Sequence, residues 1–164
     1  MKKIFLLLFF ISLIFVSSAQ TYTLSSNLGT ITTCSGTFVD GGGSGSNYAN
    51  SSDYTVTFCS GSSANVSVSF SSFNVENGYD HLYIYDGPST ASPLVDNATG
   101  NLGAFVVQSS GSCITFNFMS DVSITYAGWS GTISCAIPCA APTAGGTITN
   151  QTAPVMVCPG EAIN

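Results

Sequence analysis

Three stretches of this chain alternate apolar and polar side chains at a period of two. Tyr54, Val56 and Phe58 would share one face, as would Val66, Val68 and Phe70, and again Ile114, Phe116 and Phe118. Successive side chains of an extended backbone point to opposite sides, so this spacing builds strands with one apolar face. It sends Thr55, Thr57, Ser67, Ser69, Thr115 and Asn117 to the other face. Ala104 to Val107 is a short continuous apolar run, the pattern of a strand buried on both sides. No amphipathic helix of useful length is present. Short strands separated by Gly, Ser, Asn and Asp turns predict an all-β fold, an antiparallel β-sandwich. The stretch from about Thr30 to Cys135 is long enough to close one core.

The two ends of the chain read differently. Lys2 and Lys3 precede an apolar run from Ile4 to Val16, and Ser17-Ser18-Ala19 offers small residues for cleavage. Residues 1–19 are therefore expected to be a secretory signal peptide, with maturation before Gln20. No later apolar stretch approaches the ~18 positions that a membrane-spanning helix needs. Residues 20–29 form a lead-in. Residues 136–153 are rich in Pro, Ala and Gly near their start and read as a linker. Residues 154–164 look like the first strand and turn of a further, truncated module, similar to the start of an Ig-like unit in large secreted bacterial proteins.

Charge narrows the partners. After the signal peptide the chain holds eight acids and no Lys or Arg. That argues against nucleic acid and anionic membrane surfaces, both of which need cations. It suits metal ions or cationic ligands. The Gly41-Gly42-Gly43-Ser44-Gly45-Ser46 segment reads as a flexible loop, because a phosphate-cradling loop would want a Lys and a following helix.

Six Cys behind a secretory signal imply disulfides, with fifteen connectivities open. Cys34 and Cys59 flank the Gly-rich loop. Cys113 and Cys135 flank two strand-like runs; if these form a hairpin, the two Cys lie opposite each other. The expected bridges are therefore Cys34–Cys59 and Cys113–Cys135, leaving Cys139 and Cys158. Zinc is disfavoured, because it would need several His or closely paired Cys and the chain has a single His.

Several motifs then follow in order. Cys34 with Gly36 opens the stretch, and Tyr48-Ala49-Asn50 precedes Cys59. Phe73-Asn74-Val75-Glu76 leads into Tyr79-Asp80-His81-Leu82-Tyr83-Ile84-Tyr85-Asp86-Gly87. Ser120-Asp121-Val122-Ser123 and Gly128-Trp129 close it. Together these segments resemble the CUB domain in its calcium-binding form, over roughly residues 31–135. The resemblance implies a disulfide-stabilised jelly-roll sandwich with Trp129 buried near its end. It also implies a calcium ion on Glu76, Asp80 and Asp121. Ser123 or a nearby carbonyl would add oxygen, and Tyr48 would orient Glu76. Two departures stand out: Gly78 and the stretch from Val95 to Gly100 carry no Cys where the family often does, and the turn from Glu76 to Asp80 is short.

The chemistry agrees with that expectation. Calcium takes six to eight oxygens and tolerates flexible loops. Converging carboxylates repel, and no Lys or Arg is available to relieve them. Asp40, Asp53, Asp86 and Asp96 read instead as solvated turn acids. His81, the one His, neighbours Asp80 on a strand, so their side chains point to opposite faces. With no second His, no Lys base and no free Cys–His pair, no catalytic site is expected. Tyr79, Tyr83 and Tyr85 are expected to pack across strands, with a sugar-binding stripe as the alternative. Asn-x-Ser/Thr sites at Asn50, Asn65, Asn97 and Asn150 matter only in a source that glycosylates Asn.

The reading favoured by these features is a secreted or cell-surface, non-catalytic interaction or adhesion module with calcium-ordered loops and a Lys-bearing protein ligand. The alternatives are an accessory domain of a larger secreted hydrolase or adhesin, and a glycan-binding sandwich.

Overall fold

The computed structural model describes residues 20–137. The expected signal peptide, most of the linker, the further module, Cys139 and Cys158 lie outside the described residues. Ten strands form in chain order: β1 (Thr21–Leu24), β2 (Gly29–Thr32), β3 (Ser35–Asp40), β4 (Asp53–Cys59), β5 (Asn65–Asn74), β6 (His81–Tyr85), β7 (Leu94–Ala98), β8 (Phe105–Gln108), β9 (Cys113–Met119) and β10 (Gly128–Ala136). They make two five-stranded sheets, ordered β1-β3-β10-β5-β8 and β2-β4-β9-β6-β7.

The alternation read from sequence supplies the core. Val56, Phe58, Val66, Val68, Phe70, Ile114, Phe116 and Phe118 all point inward and are buried. Phe38 sits among them, with ring centroids 5.0 Å from Phe116, 5.2 Å from Phe58 and 5.5 Å from Trp129. Such edge-on and tilted aromatic packing adds to the burial term. Trp129 is buried, as expected. Phe70 and Phe73 are an odd number of residues apart, yet both face the core. A bulge reconciles them: Ser72 pairs with Ser130, but Phe70 pairs with Gly131, leaving Ser71 as the extra residue.

The all-β sandwich stands as expected, with one refinement and three corrections. Antiparallel pairing dominates, but β1 pairs with β3, and β2 with β4, in parallel along one edge. Parallel neighbours need a crossover, and the chain makes one by placing β2 in the other sheet between β1 and β3. Second, Ala104 to Val107 is not buried on both sides. It contributes most of the edge strand β8, with Val106 64% exposed.

Third, the disulfides are Cys34–Cys135 and Cys59–Cys113. The expected Cys34–Cys59 and Cys113–Cys135 pairs presuppose that β3 meets β4 and that β9 and β10 form a hairpin. In both cases the chain instead crosses to the opposite sheet. Each real bridge joins antiparallel neighbours within one sheet. Cys59 pairs in register with Cys113, and Ser35 pairs with Ser134, which sets Cys34 opposite Cys135.

Fourth, Asp40 is fully buried rather than a solvated turn acid. Its Oδ1 accepts the Gly42 N–H at 2.7 Å and its Oδ2 the Trp129 N–H at 3.1 Å. Burial pushes its carboxyl above the usual range, against the pull of those backbone donors. Gly128, at φ +67°, lies so close that a Cβ there would strike the Asp40 carboxylate. Asp40 thereby fastens the Gly-rich loop to the start of β10.

The bridges close sequence separations of 101 and 54 residues. In the chain-entropy model each is worth about 4–5 kcal/mol. Chymotryptic mapping of the unreduced protein should recover Cys34 linked to Cys135 and Cys59 linked to Cys113. Replacing Cys34 and Cys135 together by Ser should lower stability by several kcal/mol, read from the red shift of Trp129 emission in a denaturant titration.

Candidate functional site

Three connections meet at one end of the sandwich: residues 41–52 between β3 and β4, residues 75–80 between β5 and β6, and residues 120–127 between β9 and β10. The strand register fixes this meeting, since Asp53 and His81 both pair with Met119, while Asn74 pairs with Gly128.

Glu76 leaves β5 and enters a tight turn in which the Tyr79 and Asp80 N–H groups bond back to its carbonyl. Gly78 takes φ +79°, a left-handed conformation that favours glycine. Thr99 braces the turn: its hydroxyl accepts the Gly78 N–H at 2.8 Å and donates to the Glu76 carbonyl at 3.1 Å. The shortened turn thus closes on its own backbone.

Asp80 is completely buried. Its Oδ2 accepts the Tyr48 hydroxyl at 2.5 Å, and its Oδ1 accepts the Asp121 N–H at 2.8 Å. The Tyr48 oxygen in turn accepts the Glu76 N–H at 3.0 Å. Tyr48 therefore grips Asp80 by its side chain and Glu76 through its backbone, rather than orienting the Glu76 carboxylate itself. Burial, then the bond to Asp80, holds the Tyr48 phenol well above its usual range, so it remains a donor.

Asp121 is held from two sides. Its carbonyl accepts the Ser51 N–H at 2.6 Å, and its Oδ1 accepts the Ser123 N–H at 2.8 Å. Ser123 is exposed and reaches the cluster through its backbone. Ser120, to which the sequence reading gave no role, is a further staple. Its hydroxyl donates to the Ala49 carbonyl at 2.8 Å and accepts the Ser52 N–H at 2.9 Å. A serine beside an acid carries no pattern that would reveal this, because its partners are some seventy residues away in sequence.

The result is a set of three carboxylates, Glu76, Asp80 and Asp121, with one oxygen of each lying within 4.8 Å of the others. Glu76 Oε2 is shielded from solvent and has no hydrogen-bond partner. Desolvation, then the charges of Asp121 and Asp80, push the Glu76 carboxyl upward. An orphaned acidic oxygen facing two other acids is a donor set that fits a hard cation such as calcium.

The other singled-out residues lie elsewhere. His81 Nδ1 pairs with Asn97 Oδ1 at 2.8 Å, and its ring stacks on Tyr83 on the outer face of the second sheet. Tyr79 stands apart from Tyr83 and Tyr85, in the turn beside the acids and 65% exposed.

Among the described residues the fold is a helix-free β-sandwich tied by two disulfides, a pattern typical of extracellular modules. Residues 29–132 match the family model of the CUB domain, and the chain belongs to that family. Similar solved structures include the full extracellular region of zebrafish Gpr126/Adgrg6, at 20% identity over 68% of this chain with TM-score 0.59. They also include the MASP-1 CUB2 domain bound to Ca2+, at 22% identity over 66% of this chain and 98% of that one, with TM-score 0.55. The CUB1-EGF-CUB2 region of human MASP-1/3 matches at 21% identity over 68% of this chain, with TM-score 0.56. The chain spans 15% of the zebrafish region and 43% of the human one, and at these identities the likeness is one of fold. CUB domains are in general non-catalytic interaction modules of extracellular proteins. Among the described residues, no helix is long and apolar enough to cross a membrane.

Two substitutions test the geometry. A carboxyl with a folded pKa above its unfolded value contributes stability that is complete below the unfolded value and lost as pH rises through the folded one. In chelator, Glu76→Gln should therefore be more stable than wild type at neutral pH. The two should converge below the ordinary glutamate range in thermal melts. Tyr48→Phe should cost about 1–3 kcal/mol in chemical denaturation, because the Glu76 N–H and the buried Asp80 oxygen both lose their partner.

Proposed function

We propose that this chain is a secreted, non-catalytic CUB-type interaction module whose end loops are ordered by one calcium ion. Glu76, Asp80 and Asp121 would hold the ion, with Ser123 or a neighbouring carbonyl contributing oxygen and Tyr48 positioning the acids. The observation that carries the reading is the convergence of three carboxylates on one point in a segment without Lys or Arg. When bound, calcium would neutralise the set and fix the loops. The chain's own residues do the remainder: Tyr48 pins Asp80, Thr99 closes the Glu76 turn, and Ser120 ties the Asp121 loop to residues 49–52.

The acids left facing outward suit a lysine ammonium offered by a protein ligand. Charge complementarity of this kind steers association and favours cationic partners over others.

Calcium affinity should be modest, on the order of 10⁻⁴ to 10⁻³ M as in extracellular modules. At about 1 mM calcium this corresponds to roughly 0.4–1.4 kcal/mol of added stability. The melting temperature should rise in calcium relative to chelator for wild type and for Asp96→Ala, whose carboxylate lies on β7. It should not respond in Asp121→Ala. A wild-type melt identical in both buffers, with no heat in a calorimetric titration, would leave these acids as plain loop residues.

A further inference from the structure

We propose that a cavity on the outer face of the first sheet, beneath the Gly-rich loop, binds one neutral sugar ring, such as the terminal unit of a glycan. The cavity has a volume of about 270 Å³, and none of Glu76, Asp80 and Asp121 lines it. The inference therefore stands or falls separately from the calcium reading.

Strand register builds the floor. Phe38, Phe73 and Trp129 turn into the core, so their neighbours Val39, Ser72 and Ser130 face the other way. Ser130 pairs with Val39 on one side and with Ser72 on the other, which sets the three side chains in one row across β3, β10 and β5. Val39 is nevertheless only 5% exposed, although it faces away from the core. Its cover comes from the loop after β3: Gly43 and Ser44 line the same cavity, with Ala127 from the connection before β10. Asp40 fixes this cover. Its Oδ1 accepts the Gly42 N–H at 2.7 Å, and its carbonyl accepts the Gly43 N–H at 3.1 Å. A Cβ on Gly42 would strike the carbonyls of Ser46 and Asn47, so the loop doubles back tightly there. The small residues of this loop thus leave a preformed space above the sheet instead of filling it.

The lining selects the ligand class. Binding sites are usually largely apolar with a few placed polar groups. Here Val39 and Ala127 supply apolar surface, and Ser44, Ser72 and Ser130 supply hydroxyls. Ser71, the bulge residue, spends its hydroxyl on the Ser130 carbonyl at 3.1 Å. The hydroxyls of Ser44, Ser72 and Ser130 bond to no described residue and remain free to donate or accept. Trp129 also lines the cavity, and its buried Nε1–H has no hydrogen-bond partner. No charged side chain lines the space, and no Lys or Arg stands among the described residues to hold an anion. A neutral ring with hydroxyls at its rim and C–H groups on its face matches such a lining. The volume falls just below the ~300–1,000 Å³ of sites for drug-sized ligands, which suits one ring rather than several.

Saturation-transfer NMR on the full mature chain tests this with glucose, galactose, mannose and N-acetylglucosamine, against glucuronate and glycerol. At least one neutral ring should bind, with Kd on the order of 10⁻³ M, and should shift the indole N–H resonance of the single Trp. Glucuronate and glycerol should give no signal. Ser130→Leu fills the floor and Ala127→Leu the margin; each should weaken binding about tenfold or more, because close packing leaves the ring no room. Blue-shifted Trp129 emission checks that both variants fold. Tyr83→Ser, on the outer face of the second sheet, should bind as wild type does. The proposal is overturned if no neutral ring binds, if glucuronate or glycerol binds as well as the rings, or if both Leu variants retain full affinity. Loss of binding in Tyr83→Ser alone would move the sugar to the second sheet and also overturn it.

Discussion

The end loops depend on one buried carboxylate. Asp80 has no access to solvent, and each of its oxygens takes a donor from a different connection: the Tyr48 hydroxyl and the Asp121 N–H. An unpaired buried charge would be costly, so the three segments are held together by the need to satisfy it. Tyr48 relays the constraint to Glu76 by accepting its N–H. The acids therefore converge because the backbone around Asp80 forces them to, against their mutual repulsion. Asp40 uses the same device nearby, with the Gly42 and Trp129 N–H groups as its donors.

Local pattern was legible where local physics decides. The alternation through Val66, Val68 and Phe70 gave the strand and its inward face, because a side chain's face follows from backbone parity alone. Motif order placed Tyr48, Glu76, Asp80 and Asp121, which the fold brings to one end. What sequence could not convey was which sheet each strand joins. The run from Cys113 to Met119 and the run from Gly128 to Ala136 look like a hairpin, yet they lie in opposite sheets, and with that assignment both disulfide pairings changed. Ala104 to Val107 misled in the same way. An apolar run specifies a strand, not a central one, and here much of it is at an edge. Asp40 carried no signal, since the Trp129 N–H that it binds is 89 residues away.

The composition takes on meaning against this scaffold. Outside the first three residues the sequence has no Lys or Arg, so none stands beside the acids among the described residues. A protein without them cannot settle a carboxylate cluster by an ion pair of its own. It can protonate one member, for which Glu76 is the candidate since its carboxyl is pushed upward, or it can recruit a cation from outside. Protonation and cation binding compete for the same oxygens, so proton and ion occupancy are thermodynamically linked.

Shielding from water sharpens that competition. A loop built only to carry acids would gain from polar neighbours, which keep carboxylates hydrated. The cluster does the opposite: Glu76 Oε2 is shielded from solvent without a hydrogen-bond partner, and Asp80 is fully buried. Reduced hydration raises the cost of an unpaired acid and strengthens attraction to any cation that arrives. Convergence and shielding thus act in one direction: the acids are costly to leave without a positive charge and are relieved by one that arrives.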